Sequence, residues 1–501
     1  LELNGHTGGR PFFVQQRLRL GSALKPGEHV RLVVQADLLD GVLFGDNGDY
    51  GTDPAPSSGI AVGSKWPNMT RWAVGLVNEE DPLDPDNYGW VLAPADPLKL
   101  NHIYGEVLLP IGLLRVGRQP AALGPGISLH DGSRSNRWGV SRYSPTADRI
   151  LFATKISELF AWMKHGSGYA FDKSMNDGVF LGAVYDLVVE DDPSTGFDDL
   201  NQVAGMLQWK VDSPTWGGLD WSPLVLQITV AARFSQEFGT MLWATPSMVD
   251  FGVEWFHFHG EFVAVIGHST EASEGMAALR EATEEKRVVY DQKIQGFGAQ
   301  AIFDGTWGPV TVSLEMDYAS GDDDPRDNTP LTTYNFARDM NVGLLLFEHI
   351  LAFESARSTA VGIENLAHVG ARSFPLTEIS SEGRFHNGMV LFPQIRYLPV
   401  PEFSIRFGTL FAWSAAPVVD PIMTVLQEDG EEISDDAVNW NGGKPARYYG
   451  TEFDLQLEWT YEDAFIWTVE GAALIPGNAL RDESGDAVPA FLVQNRFTFL
   501  F

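Results

Sequence analysis

Residues Thr451 to Tyr461 read TEFDLQLEWTY. Phe453, Leu455, Leu457, Trp459 and Tyr461 share one parity; Glu452, Asp454, Gln456 and Glu458 share the other. Successive side chains of a β-strand point to opposite faces, so this stretch reads as a strand with one aromatic, apolar face and one charged face. Such a strand separates two unlike environments.

The pattern recurs along the chain. In VTVSLEMDY, Val310, Val312, Leu314, Met316 and Tyr318 oppose Thr311, Ser313, Glu315 and Asp317. In VQQRLRL, Val14, Leu18 and Leu20 oppose Gln15, Arg17 and Arg19; in VRLVVQADL, Val30, Leu32, Val34, Ala36 and Leu38 oppose Arg31, Val33, Gln35 and Asp37. In SIRFGTLFAW, Ile405, Phe407, Phe411 and Trp413 oppose Ser404 and Arg406.

A soluble antiparallel sheet alternates in the same way, with its apolar face in a core. A membrane barrel instead turns that face to lipid and its polar face to a lumen. Three features favour the barrel. Charges of both signs occupy the polar parity of single long strands. Aromatics gather at strand ends, as in Phe411 with Trp413 and Trp459 with Tyr461. Connections alternate between tight turns, such as Pro110 to Gly112 and Pro399 to Glu402, and long Gly-, Pro-, Asp- and Asn-rich segments near 41–97, 120–147, 268–288, 321–388 and 414–447. Loops that long are uncommon in compact soluble domains.

Composition removes other classes. The chain has 501 residues, 34 Lys+Arg against 67 Asp+Glu, and a net charge of −33. That balance opposes nucleic-acid partners, which need clustered cations, and docking on anionic lipid through a basic patch. With no cysteine there is no disulfide, thiolate metal site or cysteine nucleophile. No apolar run approaches the roughly 18 residues of a membrane-crossing helix. The sequence begins at Leu1 without Met and is expected to be a mature form whose targeting segment has been removed.

The reading is therefore all-β: residues 1–501 form one transmembrane antiparallel β-barrel of about 18 strands, with 16 as the alternative count. Short turns face the periplasm and long loops the cell exterior. Two loops are expected to hold short helices, Glu271 to Val288 and Asn335 to Glu354, the second apolar enough to pack into the barrel mouth. The stretches RPFFVQQRLRLGSAL, IYGEVLLPIGLLRVGRQP, DRILFATKI and RDMNVGLLLFEHIL resemble large Gram-negative outer-membrane barrels of the alginate-export and porin-like type. The resemblance implies a monomeric 18-stranded channel with a narrowed polar lumen, passing small solutes or an exported polysaccharide by passive or selective passage. Alginate exporters line their channel with arginine, whereas here acidic residues share the polar parity.

Strand parity nominates Arg17, Arg19, Arg31, Asp37, Arg115, Glu315, Asp317, Arg396, Arg406, Glu452, Asp454, Glu458 and Arg496 as pore-lining. A transverse field between opposed basic and acidic ladders would select solutes; the bland alternative is salt bridges filling a plugged barrel that anchors surface-layer or lipoprotein partners. HFHGE puts His257, His259 and Glu261 on one strand face, but i,i+2 ligands splay and no fourth ligand is evident, so no metal is expected. GDNGDYGTD (Gly45 to Asp53) and GDDDPRDN (Gly321 to Asn328) carry closely spaced carboxylates without the EF-hand closing Glu, and loosely shared Ca²⁺ is the most expected of them. GFGAQA (Gly296 to Ala301) lies within a strand-like run rather than at a strand-to-helix turn, and no nucleophile elbow, Walker A loop or HExxH is present; no cofactor and no enzymatic chemistry are expected.

The chain closes on FLVQNRFTFLF, with Phe491, Val493, Phe497, Phe499 and Phe501 on one parity. This reads as a last barrel strand closing against the first. It also resembles the C-terminal signal that barrel-assembly machinery recognises, which assigns that role to Phe497, Phe499 and Phe501. The expected location is the bacterial outer membrane. The expected partners are the lipid bilayer and lipopolysaccharide, the assembly machinery, and a periplasmic or surface protein.

Overall fold

A computed structural model describes residues 2–3, 6–7, 13–45, 96–120, 126–130, 136–140, 146–172, 174, 176–188, 200–282, 286–338, 340–352, 354–355, 381, 383–420, 424, 437–462 and 464–501. Two small hairpins stand apart from the main sheet: β1 (Glu2–Leu3) with β2 (His6–Thr7), and β10 (Thr215–Trp216) with β11 (Leu219–Asp220). All other strands form one closed barrel. They are β3 (Phe13–Leu24), β4 (Val30–Gly45), β5 (Asp96–Leu109), β6 (Gly112–Pro120), β7 (Thr146–Lys155), β8 (Gly178–Val188), β9 (Leu200–Val211), β12 (Leu224–Phe234), β13 (Met241–Ala244), β14 (Ser247–Val253), β15 (Phe256–Ser269), β16 (Gln292–Trp307), β17 (Val310–Ala319), β18 (Gly388–Val400), β19 (Phe403–Trp413), β20 (Tyr448–Tyr461), β21 (Phe465–Pro476) and β22 (Ala490–Phe499). The expected all-β barrel of about 18 strands is what forms.

One of those strands is split. β13 and β14 each pair with both β12 and β15, so they are collinear halves of a single stave interrupted at Thr245 and Pro246. Proline has no N–H for a ladder, which is the physical reason for the break. Eighteen strands thus make seventeen staves. Every strand pairing with a defined register is antiparallel.

Strand parity holds throughout. On β20, Glu452 and Asp454 are 0% exposed while Phe453 and Leu455, their immediate neighbours, are 38% and 46% exposed. The outward apolar face continues around the ring through Phe407, Ile395, Val312, Phe262, Ile228, Leu207, Leu181 and Ile150. Aromatics rim it at both ends. Trp413 and Tyr448 lie 5.6 Å apart at the long-loop end, and Trp459, Phe465, Trp467, Phe497 and Phe499 cluster at the turn end.

The turn end is less uniform than the sequence suggested. Pro110 and Ile111, Gly308 and Pro309, and Pro401 and Glu402 make tight connections, as expected. β7 and β8, however, are joined through α1 (Ile156–His165), and β9 and β12 through the β10–β11 hairpin. At the other end, α2 (Glu271–Ala282) forms within the predicted helical stretch. The Asn335 to Glu354 stretch instead carries a π-helical turn over Leu346–Leu351.

An outward Leu455→Arg substitution should destabilise the barrel in lipid by roughly 2–4 kcal/mol. Denaturant unfolding in vesicles measures it; an unchanged midpoint would contradict a lipid-facing Leu455.

Candidate functional site: the lumen wall and its plug

The hydrophobic core of this molecule lies inside the barrel. Ile127, Trp138, Phe336, Leu344 to Phe347, Leu351 and Phe385 come from the 121–145 and 320–387 connections and are all buried. They pack on Val390, Phe392, Leu410, Ala412, Tyr449 and Leu474, which project inward from β18 to β21. Phe385 is the hub, with its ring 4.7 Å from Phe336 and 4.6 Å from Phe347. The inward face of these strands is thus apolar toward the long loops and polar toward the turns. The sequence reading expected a polar inward face along the whole strand; the plug is what makes the apolar part stable there.

Wall carboxylates hold the plug by its backbone. Glu452 accepts from the amides of Leu344, Leu345 and Leu346 at 2.7, 2.8 and 2.7 Å. Glu261 accepts from Gly126 and Ile127 at 2.8 and 2.7 Å. Glu470 accepts from Gly139 at 3.0 Å and from Gln456 and Gln494. These are charge-assisted bonds to donors that would otherwise be stranded in an apolar plug. Arg496 donates to the Gly139 carbonyl at 2.9 Å and so grips the same plug segment.

The nominated residues fall into groups. All face inward. Glu315, Asp317, Glu452 and Asp454 lie at 0–4% exposure on the plugged side. Asp37 is 2% exposed and receives two bonds from Arg19 at 2.7 and 2.8 Å; Arg17 stands beside it. Arg115 pairs with Glu106 and lies 4.8 Å over the Tyr104 ring. Glu458 accepts from Thr468. These ion pairs join neighbouring strands around the circumference. They do not form opposed ladders across the lumen.

Arg31, Arg396 and Arg406 are different, since among the described residues none has an ion pair. Arg396 and Arg406 are directly opposed cross-strand partners. Arg406 stacks 5.7 Å over Trp138 and makes only a 3.5 Å contact with Gln394. Like charges directly opposite disfavour a pairing, so this arrangement is a feature of the lumen rather than of the ladder.

Two clusters were not nominated. Arg149 and Asp186, each 1% exposed, share bonds of 2.6 and 2.8 Å, and Gln202 adds a third to Asp186. Their parity in DRILFATKI and VFLGAVYDLV was readable, but their pairing required the register. His259 sits between Asp250 at 2.8 Å and Glu261 at 2.7 Å, with His257 on the other oxygen of Asp250 at 3.2 Å. The histidines of HFHGE are thus bonded to carboxylates, and no group of three or more metal-ligating side chains arises among the described residues.

Of the acidic loops, Gly45 to Asp53 lies almost wholly outside the described residues. In Gly321 to Asn328 the carboxylates are engaged: Asp322 by the amides of Asp324 and Thr332, Asp324 by Arg326, Asp327 by Ser273 and Arg280. Burial, reinforced by Asp323 and Asp324, pushes Asp322 up to about 6.

What fold and site define is a closed antiparallel β-barrel with an apolar exterior, a charged wall and a lumen partly filled by its own loops. No family model matches the chain, and no curated protein matches it. Solved structures similar to it include one described as an outer membrane channel and two from Pseudomonas aeruginosa. OccK9 (OpdG) of Pseudomonas aeruginosa is 10% identical, with 96% of this chain and 90% of that chain covered and a TM-score of 0.44. OccK2 (OpdF) of the same organism, in complex with glucuronate, is 8% identical over 99% and 94% with a TM-score of 0.43. The channel DcaP of Acinetobacter baumannii is 9% identical over 79% and 78% with a TM-score of 0.36. At such identities and TM-scores the likeness carries no assignment of function.

Removing one member of the Arg149–Asp186 pair strands a buried charge. Arg149→Ala should cost about 3–5 kcal/mol, and a double change to apolar residues of similar volume should recover most of it. Equilibrium unfolding of the three variants tests this. Asp322 has a folded pKa near 6 against 3.8 when exposed, so the folded state holds the extra proton between those values. Stability from this group therefore falls as pH rises from about 4 to 6. Asp322→Asn should flatten that part of the pH–Tm curve.

Proposed function

We propose that this chain is a porin-like channel of the bacterial outer membrane, passing small solutes by diffusion and performing no covalent chemistry. The observation that carries the proposal is the division of faces: one closed ring, apolar and aromatic-rimmed outside and charged inside. Lipid tolerates a spanning sheet only if every backbone group is paired, and closure provides that. The bilayer and lipopolysaccharide are the partners this exterior fits. Phe497, Phe499 and Phe501, all strongly exposed at the chain end, suit the proposed role as the assembly signal. Loosely shared Ca²⁺ at the acidic loops is part of the same proposal, and no other cofactor is proposed.

The plug narrows the lumen on the β17–β21 side, which favours small solutes over an extended polysaccharide. The guanidiniums of Arg31, Arg396 and Arg406, which make no ion pair among the described residues, favour anions. The plug also supports a second reading, a closed barrel that anchors a surface or periplasmic protein. Planar-bilayer recording separates them. The channel reading expects ion current with anion preference, and Arg396→Gln with Arg406→Gln should shift the reversal potential toward cations. Absence of current at all voltages would overturn it in favour of the anchoring barrel.

A further inference from the structure

We infer that helix α1 and the β10–β11 hairpin are two feet resting in the periplasmic leaflet of the outer membrane, where their exposed apolar side chains lie among phospholipids just below the headgroups. The inference rests on the membrane reading above and goes past it, because it gives a partner to two turn-end connections that are longer than a tight turn.

The hairpin is continuous with the lipid-facing wall through a run of rings. Phe251, Phe258 and Phe303 of β14, β15 and β16 are cross-strand partners on the outward parity of Phe262, with ring centroids 5.3 and 4.9 Å apart. Trp221 lies 6.1 Å from Phe251, and Trp216 of the hairpin lies 6.2 Å from Trp221. Trp221 Nε1 donates to the Trp216 carbonyl at 3.1 Å, and Trp221 is bridged to Val253 of β14. Gly217 and Gly218 turn the hairpin with φ of +63° and +75°, the two positive angles that a tight two-residue hairpin needs. A Cβ at either glycine would meet nothing within 4 Å, so the tip stands clear of the described residues. Trp216 and Leu219 are 46% and 47% exposed at that tip. Tryptophan suits such a depth, since its ring is apolar and its N–H can reach a polar headgroup.

Helix α1 packs on β7 and β8, beside outward Leu181 and, on the next strand, outward Trp209. Its Ile156, Leu159, Phe160 and Met163 recur at helical spacing and share one face. Phe160 and Met163 are 64% and 66% exposed. Glu158 is engaged within the protein, accepting from the Tyr169 hydroxyl and the Asp172 amide at 2.8 and 2.9 Å. The exposed ionic group beside Met163 is therefore an ammonium, Lys164. Apolar side chains flanked by a cation are what a helix lying flat in an interface presents, with the amine at the phosphates. Large apolar groups left open beside a surface that already faces lipid are covered by that same lipid.

The chain has no cysteine, so single thiols can carry a fluorescent probe. Met163→Cys and Leu219→Cys are compared with Glu28→Cys, in the exposed tight turn between β3 and β4, and with Leu455→Cys on the outward strand face. The labelled proteins are folded into vesicles of phosphatidylethanolamine and phosphatidylglycerol, and assembly is checked by resistance to SDS at low temperature. At positions 163 and 219, a phospholipid spin-labelled near its headgroup should quench more than one labelled near its chain end, and iodide should quench about fivefold less than at position 28. At position 455 the chain-end label should quench more. Should either labelled protein not assemble, Phe160→Cys or Trp216→Cys takes its place. A probe at 163 or 219 as open to iodide as that at 28, with 455 protected, would overturn the inference and leave that face to a periplasmic protein. A probe at 455 open to iodide would remove the membrane reading and this inference with it.

Discussion

A β-strand satisfies its backbone only sideways, through neighbours. A sheet that must leave no edge has one solution, which is to close on itself. Everything else here follows from closure. It fixes an inside and an outside, it converts a two-residue alternation into two environments, and it forces long connections to lie over or within the ring. The apolar parity can then stay exposed all round the molecule, as Phe453, Leu455 and Trp459 are, without forming a core.

The core forms in the lumen instead. Trp138, Leu344, Phe347 and Phe385 fill one side of the ring against Phe392, Leu410 and Tyr449. A plug of this kind brings backbone amides into apolar surroundings, where each needs an acceptor. The wall provides three, Glu261, Glu452 and Glu470, and each accepts from main-chain donors of the loops. Carboxylates that look like pore lining when only strand parity is considered become fastenings once the loops are in place. The opposite side of the ring uses charge differently, in circumferential pairs such as Arg19–Asp37 and Arg149–Asp186 that tie one strand to the next.

The barrel was legible because its signal is local. Glu452 and Phe453 differ in environment by virtue of adjacency alone, and the same contrast repeats at Arg17 and Leu18 or Asp317 and Tyr318. The shared parity of the thirteen nominated residues was readable for that reason. Their state was not. The contact between Glu452 and Leu344 spans 108 residues of sequence, and that between Glu470 and Gly139 spans 331. No period or spacing encodes such a meeting. Pro246, by contrast, was a readable signal for the broken β13–β14 stave. Helix α1 followed a strand so closely that its alternation was masked by the apolar run ISELFAWM.

By itself the sequence determined the all-β class, the division of each strand into an outer and an inner face, and the alternation of tight turns with long loops along most of the chain. Those depend on side-chain order within ten or so residues, where geometry leaves little choice. Only the tertiary structure decided which inward charges are covered, which are paired around the ring and which stand free. That outcome depends on where loops from distant parts of the chain come to rest, and a buried carboxylate changes meaning according to whether an amide, a guanidinium or nothing faces it.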